Sequence, residues 1–191
     1  MSLILAISGP AAVGKSTICE RLISEFNVLY RLVTATTRTP RPGEKNGVDY
    51  FFLSESEFEQ KLSEDSFLEH EVIHGNKYGI LKQSILDAQS GETDILLNID
   101  VNGAASLRKF CQGKDQLNGR LKSIFIKPSN LDDLTSRMRG RASESEEQIK
   151  IRLDNAKAEI LREGEFDFVL ESEDRESDYK KVKDIYLSVR K

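Results

Sequence analysis

Residues 9–16 constrain the fold of this chain more than any other segment. They read Gly-Pro-Ala-Ala-Val-Gly-Lys-Ser and match the spacing G-x-x-x-x-G-K-[ST] at each defined position. An apolar run at residues 3–8 predicts a buried strand before the segment, and residues 16–26 predict a helix after it. This order forms a phosphate cradle, because backbone N–H groups and the helix N-terminus point at the anion. The bland alternative is a glycine turn that caps a helix and leaves Lys15 in solvent.

The cradle predicts binding of ATP or GTP, with a defined role for two side chains. Lys15 is expected to reach the β- and γ-phosphates, and the Ser16 hydroxyl is expected to ligate the Mg²⁺ that accompanies ATP. The predicted ATP-binding residues are Gly9, Pro10, Ala11, Ala12, Val13, Gly14, Lys15, Ser16 and Thr17.

Strands alternate with helices along the rest of the chain. Further strands are expected at residues 30–36, 67–78, 94–100, 121–126 and 168–170, and further helices at residues 54–62, 81–90, 130–140, 144–162 and 177–190. Ser54 and Glu57 predict a capping box at the start of the first of these helices, and Gly91 is expected to end the second. This alternation predicts an α/β fold with a mostly parallel central sheet between helices.

Composition narrows the choice of partners. The chain has 191 residues with a net charge of −4, which suits one globular domain and offers no global positive field for nucleic acid or an anionic membrane. The N-terminal apolar run is too short to cross a membrane. Cys19 and Cys111 lack metal-ligand spacing and predict buried thiols in a reducing cytoplasm.

Residues 36–52 carry the next informative pattern. They combine Thr-Thr-Arg at 36–38 with a second arginine at 41, Glu44, Gly47 and Tyr-Phe-Phe at 50–52. This register resembles the guanylate kinase signature, and the resemblance extends through Tyr78-Gly79, the strand before Asp100 and the arginines between residues 137 and 152. It implies a P-loop NTPase three-layer fold with a small mixed monophosphate-binding subdomain and a helical lid.

The arginine loop also makes physical sense without the family. Arg38 and Arg41 offer planar guanidinium forks that suit a dianionic monophosphate, and Tyr50 and Tyr78 can add hydroxyl donors to the same phosphate. A solvated basic loop with core tyrosines is the alternative, since exposed arginines are common.

The resemblance implies that GMP is the acceptor and that Glu69 and Asp100 read guanine, with Thr34 and Gly79 completing the site. An ionised carboxylate only accepts hydrogen bonds, so it pairs with guanine N1–H and the N2 amino group and repels the N1 acceptor of adenine. The alternative for Asp100 is a metal-side carboxylate.

Four positions depart from the guanylate kinase pattern, and one of them, Thr34 in place of the usual serine, keeps the hydroxyl. Ile80 stands where a hydroxyl residue usually donates to guanine O6, Asn98 where an aspartate is common, and Ser172 where the adenine-side asparagine often lies. The loss of one such hydrogen bond would cost about 1–3 kcal/mol in base discrimination unless another group replaces it.

By the same resemblance, Arg137, Arg141 and Arg152 are lid arginines that act in catalysis together with Lys15 and Arg38. In sequence alone they are equally well read as surface arginines. His70 and His74 lack a serine, cysteine or metal-ligand partner and carry no predicted role.

The expected division of the single domain is a core (residues 1–32, 85–128 and 158–191), a monophosphate-binding region (33–84) and a lid (about 129–157). The expected reaction is ATP-dependent phosphorylation of GMP and dGMP in purine metabolism. Two alternatives stay open: a related kinase acting on another phosphorylated acceptor such as a ribose bisphosphate, and a non-catalytic phosphopeptide-binding module.

Overall fold

The computed structural model describes residues 2–73, 75–89, 93–139 and 146–190. In chain order its elements are β1 (Ile4–Ser8), α1 (Lys15–Glu25), β2 (Leu29–Arg31), β3 (Ala35–Thr36), β4 (Phe51–Phe52), α2 (Glu55–Ser63), β5 (Phe67–Ile73), β6 (Asn76–Leu81), α3 (Lys82–Gln89), β7 (Asp94–Asn98), α4 (Val101–Gln112), β8 (Leu121–Pro128), α5 (Leu131–Arg139), α6 (Glu146–Ile160), β9 (Phe168–Ser172) and α7 (Arg175–Val189).

The larger sheet has five parallel strands in the order β2-β7-β1-β8-β9. Its central strand β1 is buried along its whole length, and successive side chains enter opposite layers. Leu5 and Ile7 join the apolar cluster that includes α1, α5, α6 and α7 residues, while Ile4 and Ala6 join the cluster of α3 and α4. Helices therefore cover both faces, and the predicted three-layer α/β fold is confirmed.

The smaller sheet is mixed, with the order β4-β3-β6-β5. Its own apolar cluster centres on Phe58 of α2 and Phe67 of β5, whose rings stack with centroids 4.3 Å apart. The strand expected at residues 67–78 is a hairpin of β5 and β6.

The strand expected at residues 30–36 is divided between the two sheets. Leu32 N still donates to Leu96 O of the large sheet, whereas Thr34 O already accepts from Phe51 N beside the small one. Periodicity could not reveal this division, because both pieces are apolar and continuous in sequence. It places Thr34 between the two sheets.

Capping side chains set several helix ends. The predicted capping box of Ser54 and Glu57 is present at the start of α2. Helix α7 begins at Arg175 rather than at residue 177, because the Asp174 carboxylate accepts from the backbone N–H groups of Glu176 and Ser177. The predicted stop of α3 at Gly91 lies outside the described residues.

A buried carboxylate joins the last helix to the large sheet. Asp94 of β7 accepts hydrogen bonds from Leu3 N at 2.8 Å, the Tyr186 hydroxyl at 2.7 Å and Arg190 Nε at 2.6 Å. Cys19 and Cys111 are both buried, as predicted, and burial raises the pKa of the Cys19 thiol to about 12. Within the described ranges, no helix has the length and apolar character needed to span a membrane.

Candidate active site

A cavity of about 730 Å³ opens where the carboxyl ends of β1, β2 and β7 face the small sheet. Ligands commonly bind at this edge of a parallel sheet. The residues that line the cavity are Gly9, Ala11, Lys15, Arg31, Thr34, Tyr50, Glu69, His70, Glu71, Ile73, Tyr78, Gly79, Ile80, Asn98, Ile99, Asp100, Asn102, Gly103, Ser106 and Glu159. Predicted ATP-binding residues and predicted GMP-binding residues therefore share one cavity.

The glycine loop follows β1 and wraps around the start of α1. Gly9 has φ 138° and lies so close to β8 that a Cβ atom there would be 2.1 Å from Ile126 O. Only glycine meets both conditions. The Lys15 ammonium donates to the carbonyl oxygens of Gly9 and Pro10, the latter at 2.9 Å. The loop thus holds its lysine at the cavity, at the N-terminus of a helix.

Ser16, the predicted Mg²⁺ ligand, lies beside the end of β7. Asn98 Nδ2 donates to Ser16 Oγ at 3.3 Å. Asn98, the residue at the end of β7 that departs from the guanylate kinase pattern, is therefore next to the hydroxyl that the metal would use. Other members of the predicted ATP set lie in the loop or the first turn of α1 without lining the cavity: Pro10, Ala12, Val13, Gly14, Ser16 and Thr17.

The arginine loop is organised by Glu44, to which the sequence alone assigned no role. Arg38 Nη2 donates to Glu44 Oε1 at 2.8 Å, and the other carboxylate oxygen accepts from Arg41 N at 2.6 Å. The Arg38 hydrogen bond is the main cause of the lowered pKa of Glu44, and it raises the pKa of Arg38. The Arg38 guanidinium also lies 5.4 Å from the Tyr50 ring centroid.

Arg38 and Arg41 do not line the cavity, whereas Tyr50 and Tyr78 do, with ring centroids 6.1 Å apart. An arginine that does line the cavity is Arg31, at the carboxyl end of β2. The arginine loop therefore flanks the cavity behind its two tyrosines.

The predicted guanine readers meet at the first turn of α4. Asp100 is the N-cap of this helix, and its Oδ1 accepts from Gly103 N at 2.7 Å. Burial, helped by the charges of Asp100 and Glu71, raises the pKa of Glu69 to about 7. Thr34 and Gly79 line the same end of the cavity.

Ile80 is 5% exposed and packs in the apolar cluster of α3 and α4 while it borders the cavity. Its side chain has no donor for a base oxygen. Thr34, which is also predicted to bind GMP, carries a hydroxyl donor in the lining of the same cavity.

The three predicted lid arginines differ in placement. Arg137 Nη1 donates to Val13 O of the glycine loop at 3.3 Å and lies 3.5 Å from Ser172 Oγ. Arg152 is exposed on α6 and does not line the cavity. Arg141 lies outside the described residues. The structure therefore brings only Arg137 of the described pair to the phosphate cradle.

Several lining residues had no predicted role. Asn102, Gly103 and Ser106 follow Asp100 at helical spacing, so a helix starting at Asp100 would have indicated them. Glu71 lies two positions after Glu69 on β5. Arg31 and Glu159 lie in segments remote from each motif, and no local pattern marks them.

Comparison with known proteins accounts for this arrangement. The sequence model of the guanylate kinase family matches residues 1–188. The chain belongs to the guanylate kinase family. The predicted family and the predicted enzyme class, a phosphotransferase, are thereby confirmed.

Individual guanylate kinases resemble the chain over most of its length. It is 39% identical over 171 residues to the guanylate kinase of Chlorobaculum tepidum, covering 90% of this chain and 85% of the relative. The guanylate kinase of Clostridioides difficile is 36% identical over 186 residues, covering 97% and 87%. The crystal structure of guanylate kinase from Anaplasma phagocytophilum superposes with a TM-score of 0.65 at 28% identity, covering 98% of this chain and 85% of that one.

A more distant match concerns the fold alone. The shikimate kinase of Bacteroides thetaiotaomicron gives a TM-score of 0.51 at 14% identity, covering 96% of this chain and 98% of that one. Proteins outside the guanylate kinase family therefore share the three-layer architecture.

Proposed function

We propose that this chain transfers the γ-phosphoryl group of ATP to GMP, and to dGMP, in purine nucleotide metabolism. The observation that carries the proposal is the single cavity of about 730 Å³ that joins Lys15 of the phosphate cradle to Glu69 and Tyr78 of the small sheet. Phosphoryl transfer consists largely of positioning two substrates in line and neutralising charge, and this cavity has a distinct end for each substrate.

At the ATP end, the glycine loop supplies backbone N–H groups and Lys15 supplies a positive charge for the β- and γ-phosphates. Ser16 Oγ at the start of α1 would hold Mg²⁺ together with the ATP phosphates. When bound, the metal neutralises the charge that develops on the transferred group. The Ser16 hydroxyl and the carboxylates that line the cavity, of which Glu159 Oε2 is buried without a hydrogen-bond partner in the described structure, are oxygen ligands of the kind that a hard cation prefers.

At the acceptor end, Tyr50 and Tyr78 face the cavity, and Arg38 and Arg41 lie in the loop that borders it. These four side chains would hold the GMP phosphate, with Glu44 keeping the arginine loop ordered. No general base is needed, because the attacking phosphate oxygen is already anionic. The arginines therefore only have to bind and position the phosphate, and no proton transfer accompanies this step.

The base end selects guanine through carboxylates. Ionised Glu69 would accept from guanine N1–H and the N2 amino group, and Asp100 lies across the first turn of α4 from it. Adenine and ribose bisphosphates lack the paired N1–H and N2 donors that these two carboxylates would accept from. Glu69 therefore argues against a ribose bisphosphate as the acceptor. The intact Lys15 and Ser16 argue against a non-catalytic module.

Arg137, already at the loop carbonyl of Val13, would stabilise the transferred phosphoryl group, together with Arg141 and Arg152 from the region near α6. Exclusion of water by this region would limit hydrolysis of ATP. We place the reaction in the cytoplasm, where Cys19 and Cys111 stay reduced, and we expect no nucleic-acid or membrane partner.

The test is ADP production from Mg-ATP with GMP, dGMP, AMP, CMP, UMP and ribose 1,5-bisphosphate offered separately. Fast turnover with GMP and dGMP alone is expected, and Lys15→Ala should abolish it while circular dichroism shows an intact fold. Turnover with another acceptor in place of GMP would overturn the assignment of the base end and leave the ATP end standing.

A further inference from the structure

Glu159 is a buried carboxylate to which the sequence assigned no role. It lies in the last turn of α6 and lines the cavity. Its Oε2 atom is buried, and no hydrogen-bond donor reaches it from any residue that the structure describes. Desolvation is the main cause of its raised pKa. A group of this kind destabilises the protein unless a ligand satisfies it, so it indicates a function.

The charges around Glu159 show which end of the cavity it serves. Lys15 is the strongest favourable charge on it, Asp100 opposes it, and Arg162 follows. The proximity of Lys15 places the carboxylate on the phosphate side, where ATP would bring its negative charges. A bare carboxylate there would repel the triphosphate, so a cation is needed between the two.

The second observation concerns Asn98. In this chain a neutral amide donates to Ser16 Oγ, the hydroxyl expected to ligate the metal. An amide N–H group cannot hold the hydrogens of a metal-bound water, as a carboxylate does. The carboxylate expected from the end of β7 is therefore absent at position 98, while Glu159 offers an unpartnered carboxylate oxygen in the same cavity.

One side of helix α6 carries side chains with proposed roles at the site. Arg152, one of the proposed lid arginines, precedes Glu159 by about two helical turns, so both lie on one side of the helix. Ile149 and Ala156 on the neighbouring side are buried in the core and hold the helix in place. Glu159 is thus carried on a packed helix and not on a loop.

We propose that Glu159 holds the hydrated Mg²⁺ that accompanies ATP, through a water ligand of the metal, and so supplies the negative charge that Asn98 lacks. This inference rests on the proposed function only for the identity of the metal–nucleotide substrate. It makes Glu159 a positioning residue for the metal, supplied by α6.

The test is calorimetric titration of ATP into the full chain, once with excess Mg²⁺ and once with EDTA, comparing the native protein with Glu159→Gln. The variant keeps the shape and removes the charge. Its Mg²⁺-dependent gain in ATP affinity should fall by roughly 10- to 100-fold, the usual effect of removing an outer-shell partner of a metal. ATP affinity in EDTA should be unchanged or higher, since a repulsive charge is gone.

Two further variants sharpen the result. Glu147→Gln removes a carboxylate from the exposed first turn of the same helix and should leave both affinities unchanged. Asn98→Asp, placed in the Glu159→Gln background, should restore part of the Mg²⁺ dependence by returning a carboxylate to the side of Ser16. Thermal melting of each variant reports whether it is folded.

Equal loss of ATP affinity in both media, or no loss in either, would overturn the proposal. So would tighter binding of GMP than of dGMP by the native protein that disappears in Glu159→Gln, because this result would assign the carboxylate to the ribose 2′-hydroxyl. The acceptor assignment is tested separately by GMP-dependent ADP production. A native chain that fails that assay, while Glu159→Gln still loses Mg²⁺-dependent ATP affinity, would refute the acceptor and leave the metal inference intact.

Discussion

The Glu69 carboxylate packs against the backbone of Gly103 so closely that a Cβ atom on Gly103 would lie 1.7 Å from Glu69 Oε2. Gly103 is also the residue whose N–H group Asp100 accepts at the start of α4. One glycine therefore sets the position of both predicted guanine readers. Gly103 matters because it has no side chain and so leaves room for Glu69. No sequence motif indicates this requirement.

Gly103→Ala should displace the Glu69 carboxylate and weaken GMP recognition. We expect the KM for GMP to rise by roughly 10- to 100-fold, equivalent to the loss of about 1–3 kcal/mol of hydrogen bonding, with little change in the KM for ATP. Steady-state kinetics with each substrate varied in turn measures this. Gly113→Ala at the other end of α4 is the control, because its new methyl group would meet nothing closer than 3.5 Å. Equal effects of the two variants would contradict the prediction.

The pH dependence of GMP binding should follow Glu69. Its pKa is raised to about 7 in the folded protein, chiefly by burial, and only the ionised form accepts both guanine donors. The KM for GMP should therefore rise as the pH falls below 7. Glu69→Gln should bind GMP weakly and show no such dependence between pH 6 and 8. A native KM that stays constant over this range would refute the assignment.

The same carboxylate should lower stability at neutral pH. A folded-state pKa above the ordinary value of 4.5 means that the folded protein holds the proton more tightly than the unfolded chain. Its contribution to stability is therefore greatest below pH 4.5 and is lost as the pH rises through 7. At pH 8, Glu69→Gln should raise the free energy of unfolding by up to about 3 kcal/mol, less where solvent screens the half-buried group. Urea denaturation at pH 5 and pH 8 measures the difference, which should be larger at pH 8.

Glu44 should act on the acceptor phosphate through the arginine loop. Because its two oxygens hold the Arg38 guanidinium and the Arg41 N–H group, Glu44→Ala should disorder the loop and raise the KM for GMP severalfold. Arg41→Ala should do the same, and neither should affect the KM for ATP comparably. Glu64→Ala, exposed after α2, serves as the control. An equal rise in both KM values would assign the loop to another task.

The Asp94 network should contribute to stability and not to turnover. Tyr186→Phe removes the hydroxyl that donates to Asp94 Oδ2 at 2.7 Å in the core, which should cost about 1.5–3 kcal/mol of unfolding free energy. Below the unfolding transition, kcat should be unchanged. Tyr30→Phe is the comparison, since Tyr30 is 53% exposed. A loss of kcat without a loss of stability would contradict this reading.

Much of the fold could be predicted from local sequence. The glycine loop, the capping box at Ser54 and the alternation of strands and helices depend on residues close together in the chain, and the structure has them where expected. The division of residues 30–36 between two sheets could not be predicted, because it depends on hydrogen bonds to Leu96 in the large sheet and to Phe51 in the small sheet. Helix α7 begins two residues before its predicted start because Asp174 caps it.

The sequence by itself determined the phosphate cradle and the arginine loop, because each consists of consecutive residues whose backbone and side-chain chemistry act locally. The resemblance to the guanylate kinase family also predicted Glu69 and Asp100 as guanine readers. Only the tertiary structure decided that Gly103 makes room for Glu69, that Asn98 lies beside Ser16, and that Glu159 reaches the same cavity. These contacts join residues far apart in the chain, and they exist because parallel strand order and helix packing bring the ends of β1, β7 and α6 together.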